Sequence, residues 1–287
     1  MLVLLLAVAL FGHTSLGAQR WIRIGPVTFQ PSEFSKALMI VCLAAFLDRG
    51  REYMDELKDY LPAVAYVFVP FFLVLRQPDL GTALVFAAIA FCMFWVCGFK
   101  VKWLAAMVGI GAAAAPLLWH LLHEYQRNRI RVFLNPELDP YGAGYHVIQS
   151  KIAIGSGMLF GKGWMQGTQS QLSFLPENHT DFIFAVAGEE FGFVGVTLIL
   201  LLYLILTWRA LTIALNAEDR FGRLLATGIT GMLLFHVLVN VGMTAGIMPV
   251  TGVPLPFLSY GVSSLSTNLV LVGLLLDIHL RQAKLQF

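Results

Sequence analysis

Residues Leu175–Trp208 read LPENHTDFIFAVAGEEFGFVGVTLILLLYLILTW. A polar stretch, Pro176–Thr180, leads to one carboxylate at Asp181, and from Phe184 the run is apolar for longer than the roughly 20 residues that cross a bilayer. A carboxylate at the edge of hydrocarbon is costly unless it is paired, solvated by a cavity or used in chemistry. The stretch therefore predicts a membrane-spanning helix and marks Asp181 as the first candidate functional residue.

The composition agrees with a membrane protein. Of 287 residues, 58% are hydrophobic and 13% charged, too apolar for a soluble core to hide. The net charge of +2 is too small to argue for a nucleic-acid partner. Cys42, Cys92 and Cys97 all lie in apolar runs without metal-ligand or paired-loop spacing, which suits buried thiols.

Apolar length predicts an all-α polytopic bundle of about eight spans, the first partial. Seven fall near Glu33–Leu47, Leu61–Leu75, Leu80–Phe99, Trp103–Leu122, Phe184–Trp208, Phe221–Thr244 and Val262–Leu280. Leu2–Phe11 is too short to cross and lacks the flanks of a signal peptide. It reads as the second half of a span, so the chain is expected to be N-terminally truncated. Lys and Arg divide almost evenly between the two faces, with many of the outer ones in a single long segment that counts little toward orientation.

The reading is of one integral membrane domain, 1–287, with short links apart from Gly12–Ser32, Asp48–Tyr60 and the long outer loop at about 123–183. A loop of that length in a compact protein is usually functional. Within it, the apolar spacing of Tyr145–Ile154 predicts a short interfacial helix.

Several constellations could carry chemistry. Thr180 is a candidate N-cap that would place Asp181 in the first helical turn, where it either caps backbone donors or acts as a general base. Glu189 and Glu190 lie downstream on the same predicted helix. Gly155–Gln171 is Gly-rich around Lys162 and departs from P-loop spacing; tight turns are favoured over an anion cradle. Gln126–Arg131 (QRNRIR) puts Arg127, Arg129 and Arg131 within reach of a phosphate or of solvent. Pro249–Gly261 (PVTGVPLPFLSYG) cannot be regular helix, and such backbone at a membrane boundary usually lines a cavity. The helix after it offers N–H groups and hydroxyls near Ser259 and Ser263 to an anion. Asp79 in Arg76–Thr82 could orient a sugar hydroxyl, although capping the next helix is favoured. His120, His123 and Glu124 share a helical face with metal-like spacing, but further ligands are not evident.

Taken together, these segments resemble the SEDS family of bacterial shape and division proteins, its RodA branch in particular. The matching stretches are GAQRWIRI (Gly17–Ile24), FQPSEFSK (Phe29–Lys36), QPDLGTA (Gln77–Ala83), YQRNR (Tyr125–Arg129), GAGYHVIQSKIAIGSG (Gly142–Gly157), GKGWMQGTQSQ (Gly161–Gln171), Phe174–Gly192 and GIMPVTGVPLPFLSYG (Gly246–Gly261). The sequence departs at Val262, where the family usually continues with another Gly. The resemblance implies a ten-helix fold in the bacterial cytoplasmic membrane, with this chain aligning from the third helix onward and its active face extracytoplasmic.

It further implies a peptidoglycan glycosyltransferase that polymerises lipid II, with Asp181 as catalytic base. Candidate substrate-binding residues are Arg127, Arg129, Arg131, Lys151, Lys162, Lys36, Asp79, Ser259 and Ser263. The implied partners are lipid II, a class B penicillin-binding protein and elongation-complex membrane proteins. No definite cofactor is implied, and a divalent cation is left as an option. A lipid II flippase and a non-catalytic scaffold are the competing readings.

Overall fold

The computed structural model describes residues 1, 2, 5, 8, 13–15, 18–24, 27–50, 57–77, 79–122, 124–140, 142–172 and 174–284. The chain packs as two compact units. Of the expected partial span Leu2–Phe11, most residues lie outside this set; Leu5 and Val8 are buried, and Gln77 Nε2 donates to Leu5 O at 2.9 Å. Part of the Asp48–Tyr60 loop also lies outside it.

The first unit comprises Met1–Leu122, Trp208–Leu233 and Val262–Phe287. It begins with an antiparallel sheet, β1 (His13–Ser15), β2 (Ala18–Ile24) and β3 (Val27–Phe29), in which Trp21 pairs with His13 and Ile22 with Phe29. The chain is thus mostly helical, as expected, with a short sheet where Gly12–Ser32 reads as a loop. The cause is local: Arg20–Ile24 mixes aromatic, β-branched and charged residues, and Gly25–Pro26 is a break between two short strand-forming runs.

The helices α1 (Pro31–Arg49), α2 (Leu57–Arg76), α3 (Leu80–Val96) and α4 (Val101–Leu121) follow, each overlapping a predicted span. Pro31 opens α1 where its missing N–H costs nothing. Met39, Ile40, Leu43, Phe86, Ile89 and Met93 form a fully buried core. Against it lies the first part of α9 (Arg220–Thr244). A Cβ on Gly228 would sit 2.8 Å from Ile40 and Met93 side-chain atoms, and one on Gly231 2.8 Å from Cys92 Sγ. Small residues here let helices approach without side chains between them, as close packing in lipid requires. The last helix, α10 (Val262–Lys284), completes the unit.

The second unit, His123–Thr207 with Leu234–Gly261, holds α5 (Glu124–Leu134), a 3₁₀ turn at Pro136–Leu138, α6 (Ala143–Ser156), α7 (Thr168–Gln171) and most of α8 (Ile183–Asn216). The predicted short helix at Tyr145–Ile154 is α6. The QRNRIR segment is helical, as part of α5. Because α4 ends at Leu121 and α5 starts at Glu124, His120 and Glu124 do not share one helical face, which corrects the metal-like reading; His123 lies outside the described residues. One core cluster joins Phe184, Tyr203, Val237 and Leu255, and another joins Ala153, Leu175, Phe182 and Ala185.

Helix α8 is interrupted at Gly192, whose φ of 66° and ψ of −164° are not helical. Such a break frees carbonyls before it and N–H groups after it, and apolar surroundings make unpaired ones expensive. The segment Met158–Gly163 takes up all four. Lys162 N and Gly163 N donate to Glu189 O and Glu190 O, each at 3.0 Å, while Phe193 N and Val194 N donate to Met158 O (2.8 Å) and Leu159 O (3.1 Å). The backbones must come very close for this. A Cβ on Gly157 would overlap Gly188 O, one on Gly161 would overlap Glu190 O, and one on Gly192 would overlap Gly161 N. The Gly-rich stretch therefore serves a backbone splice, and the N–H groups of Gly161, Lys162 and Gly163 are already bonded to carbonyls.

Among the described residues, three helices, Ile183–Asn216, Arg220–Thr244 and Val262–Gln282, are long and apolar enough to cross a membrane, and Leu61–Arg76, Leu80–Val96 and Val101–Ala114 are shorter apolar helices. The first spans roughly 50 Å at 1.5 Å per residue, more than the ~30 Å hydrocarbon layer needs. The part after Gly192 suffices alone, which leaves the turns carrying Glu189 and the approach to Asp181 outside the required crossing.

Gly192→Ala should lower the thermal unfolding midpoint markedly, because it adds roughly 1–3 kcal/mol of strain, in a φ/ψ region essentially confined to glycine, to the overlap with Gly161. Gly155→Ala, where a Cβ meets nothing within 4 Å, should stay near wild type. Equal midpoints for the two variants in detergent would refute the splice.

Candidate functional site

Helix α8 starts at Ile183, so Asp181 stands ahead of it, in a turn closed by Thr180 N and Phe182 N, both donating to Glu177 O at 3.2 Å. The expectation that Thr180 caps the helix is corrected: its hydroxyl donates to Glu177 Oε2 at 3.1 Å. Glu177 has a φ of 53°, and this reversal pulls the chain away from capping geometry.

Three contacts hold the turn. Asn240 on α9, fully buried, donates through Nδ2 to Asp181 O at 3.0 Å and to Val253 O at 2.8 Å. Ser259 Oγ donates to Thr180 O at 2.6 Å and accepts from Leu255 N at 2.8 Å. Tyr260 N donates to His179 O at 2.8 Å. The Pro249–Gly261 segment is non-helical, as its prolines require, and it laces onto His179–Asp181. Ser259 spends its hydroxyl on this framework.

The three arginines of α5 separate by helical phase. Arg127 and Arg131 turn to Glu124, at 3.5 and 2.8 Å. Arg129, roughly 200° around the helix from Arg127, points elsewhere and donates through Nη1 to Val250 O at 3.0 Å. Gly252, with a φ of +74°, marks where it leads: a Cβ built there would lie 3.3 Å from Asp181 Oδ2 and 3.7 Å from Arg129 Nη1. A carboxylate and a guanidinium thus flank one bare stretch of backbone.

His146 on α6 is a residue the sequence reading did not single out. Its ring stacks on Phe182, the residue after Asp181, with centroids 6.0 Å apart, and its Nδ1 is buried without a hydrogen-bond partner among the described residues. Burial pushes the imidazole below its usual range and Arg129 adds to this, while Glu177 and Asp139 oppose it. The shift favours the neutral ring, which donates a hydrogen bond from one nitrogen and accepts at the other. Asn240 was missed as well; a polar residue inside the apolar run Met232–Val241 was the available signal.

Lys162 is engaged with a buried acid. Its Nζ pairs with Glu189 Oε1 at 2.7 Å, and Glu189 is fully buried. The same carboxylate accepts from Thr168 Oγ1 at 3.1 Å, Gln169 N at 3.0 Å and Ser170 N at 3.3 Å. Lys151 is exposed, its side chain lying against Gly246.

In the first unit, Lys36 is buried and pairs with Glu33 at 2.7 Å. Asp79 caps α3 through Thr82 N at 3.2 Å and Thr82 Oγ1 at 2.9 Å. Ser263 Oγ accepts from Gln30 N at 3.1 Å. Among the described residues, no three His, Cys, Asp or Glu side chains are grouped so as to hold a metal ion.

The family model described as cell cycle protein, covering FtsW, RodA and SpoVE, matches residues 1–284. The chain is 48% identical over 279 residues to the peptidoglycan glycosyltransferase MrdB of Escherichia coli K12, covering 97% of this chain and 75% of that protein. It is 42% identical over 278 residues to the stage V sporulation protein E of Bacillus subtilis, covering 96% and 75%. Among solved structures it resembles a chain of a peptidoglycan synthase complex that coordinates polymerization and crosslinking, with a TM-score of 0.81, 36% identity and coverage of 98% and 79%. The rod shape determining protein RodA of Thermus thermophilus matches with a TM-score of 0.69, 33% identity and coverage of 98% and 76%.

Glu189→Ala should cost about 3 kcal/mol, the range for breaking a buried pair from the enclosed side. Lys162→Ala should cost less, since three other donors still hold the carboxylate. Unfolding in detergent reads both; equal losses would show that the lysine, rather than the whole donor set, holds the acid.

Proposed function

The chain belongs to the FtsW, RodA and SpoVE family of cell cycle proteins, and from that premise we propose that it is a membrane peptidoglycan glycosyltransferase that polymerises lipid II into glycan strands on the extracytoplasmic face. The observation that carries the reading is the convergence of Asp181 Oδ2 and Arg129 Nη1 on Gly252. Relatives named peptidoglycan glycosyltransferase support the activity.

The chemistry needs a base and an anion-stabilising group close together. Asp181 takes the proton from the acceptor sugar's 4-hydroxyl as its oxygen attacks the donor's anomeric carbon. The bond from that carbon to the diphosphate oxygen breaks with inversion, and undecaprenyl pyrophosphate departs with the electron pair. Arg129 is the cation best placed for the developing charge, because its Nη1 lies beside Gly252, where Asp181 Oδ2 also reaches, and a guanidinium matches a phosphate as a planar fork. Arg127 and Arg131, shared with Glu124, take a secondary role in drawing the lipid-linked diphosphate in. Gly252 adds no side chain beside the two charged groups.

A class B penicillin-binding protein is the proposed transpeptidase partner, a reading supported by the likeness to a synthase complex. The test is polymerisation of labelled lipid II by the purified chain with that partner. Asp181→Ala should slow it by roughly 10²–10⁴-fold, and wild-type speed would exclude Asp181 as the base. Arg129→Ala should cost roughly 10²-fold, whereas Arg127→Ala should change turnover by no more than a few-fold. The reverse ranking would move the diphosphate to the Glu124 side of α5.

A further inference from the structure

In the first unit, a cleft of about 320 Å³ is lined by Val96, Cys97, Glu218, Arg220, Arg223 and Leu224. None of these residues serves the proposed polymerase chemistry. The cleft lies where α3 ends at Val96 and α9 begins at Arg220, two residues after Glu218. Ends of apolar helices lie at the depth where hydrocarbon gives way to headgroups.

Its charges are unusually available. Among the described residues, Arg220 Nη2 donates to Cys97 Sγ alone, at 3.4 Å, a weak acceptor that a phosphate oxygen would displace. Arg223 Nη2 reaches Ala217 O at 3.1 Å, leaving its other N–H groups. Asp219, the nearest further acid in sequence, is occupied in capping α9 through Gly222 N at 2.6 Å. Among the described residues, neither arginine and not Glu218 is in an ion pair. Two guanidinium groups and one carboxylate therefore face a cleft with an apolar side at Val96 and Leu224.

We propose that this cleft binds the headgroup of a phosphoethanolamine phospholipid. The arginines fork onto the phosphodiester oxygens, and Glu218 accepts from the ammonium. Val96 and Leu224 cover the start of the lipid's apolar part. A simple anion would sit beside Glu218 at a Coulombic cost, and a trimethylammonium headgroup offers that carboxylate no N–H donor. The apolar side separates a lipid from free phosphoethanolamine.

The chain in nanodiscs of phosphatidylcholine doped with phosphatidylethanolamine or phosphatidylglycerol, followed by native mass spectrometry, reads which lipid is retained. Phosphatidylethanolamine should be retained roughly tenfold over the other two. Arg220→Gln should abolish that preference. Glu218→Gln, an exposed change that removes no hydrogen bond among the described residues, should switch the preference to phosphatidylglycerol while leaving the unfolding midpoint unchanged. Equal retention of the three lipids by the unmodified chain would overturn the proposal. So would an unaltered preference in Glu218→Gln, or displacement of the lipid by soluble O-phosphoethanolamine at matched concentration.

Discussion

The constraint on which the second unit depends is the pairing of backbone polar groups where little water is at hand. A helix interrupted inside an apolar run must have its freed carbonyls and N–H groups met by another piece of backbone. Met158–Gly163 supplies that piece at Gly192, two groups on each side of the break. Everything nearby follows from the closeness this requires. Glycines stand wherever a Cβ would strike the facing chain, and the acid on the helix turn before the break is drawn under the loop, where Lys162, Thr168, Gln169 and Ser170 enclose it. The interruption also ends the shorter helical piece that leads from Asp181, so the turn bearing that carboxylate is positioned by the loops around it rather than by the long lipid-facing helix.

The charged groups of this unit are held by different kinds of contact. Lys162 with Glu189, and Arg127 and Arg131 with Glu124, are satisfied within the protein. Arg129 and Asp181 are oriented by carbonyl and amide contacts made elsewhere on each residue: Arg129 through Val250 O, Asp181 through its own backbone oxygen held by Asn240. Backbone contacts of this kind fix where each residue sits, the preorganisation on which the proposed charge-stabilising chemistry relies.

Much of this was legible in the residues. Apolar run length placed α1 to α4 and α8 to α10, because twenty-residue hydrocarbon crossings leave an unmistakable pattern. The prolines and glycines of Pro249–Gly261 announced a non-helical segment, and the acid at Asp181 stood out by its boundary position. The sheet at His13–Phe29 was missed because strands of three to seven residues in a short loop carry little periodicity. Thr180 was misread as a cap because Thr before an apolar run is a sound local signal that the reversal at Glu177 overrides. The grouping of Arg127, Arg129 and Arg131 dissolved once α5 formed, since helical phase sends neighbours in sequence to opposite sides. The roles of His146 and Asn240 depend on contacts made across long sequence separations, which no local pattern encodes.

The splice at Gly192 also sets which length changes the chain can accept. Four backbone bonds tie Met158–Gly163 to Glu189–Val194 in a fixed register, and adding or removing one residue in either strand of that pairing would shift every donor off its acceptor at once. A change of length would disturb four bonds together here, not one. Side chains of the loop can be exchanged, whereas its residue count between Gly157 and Gly163 is set by the pairing.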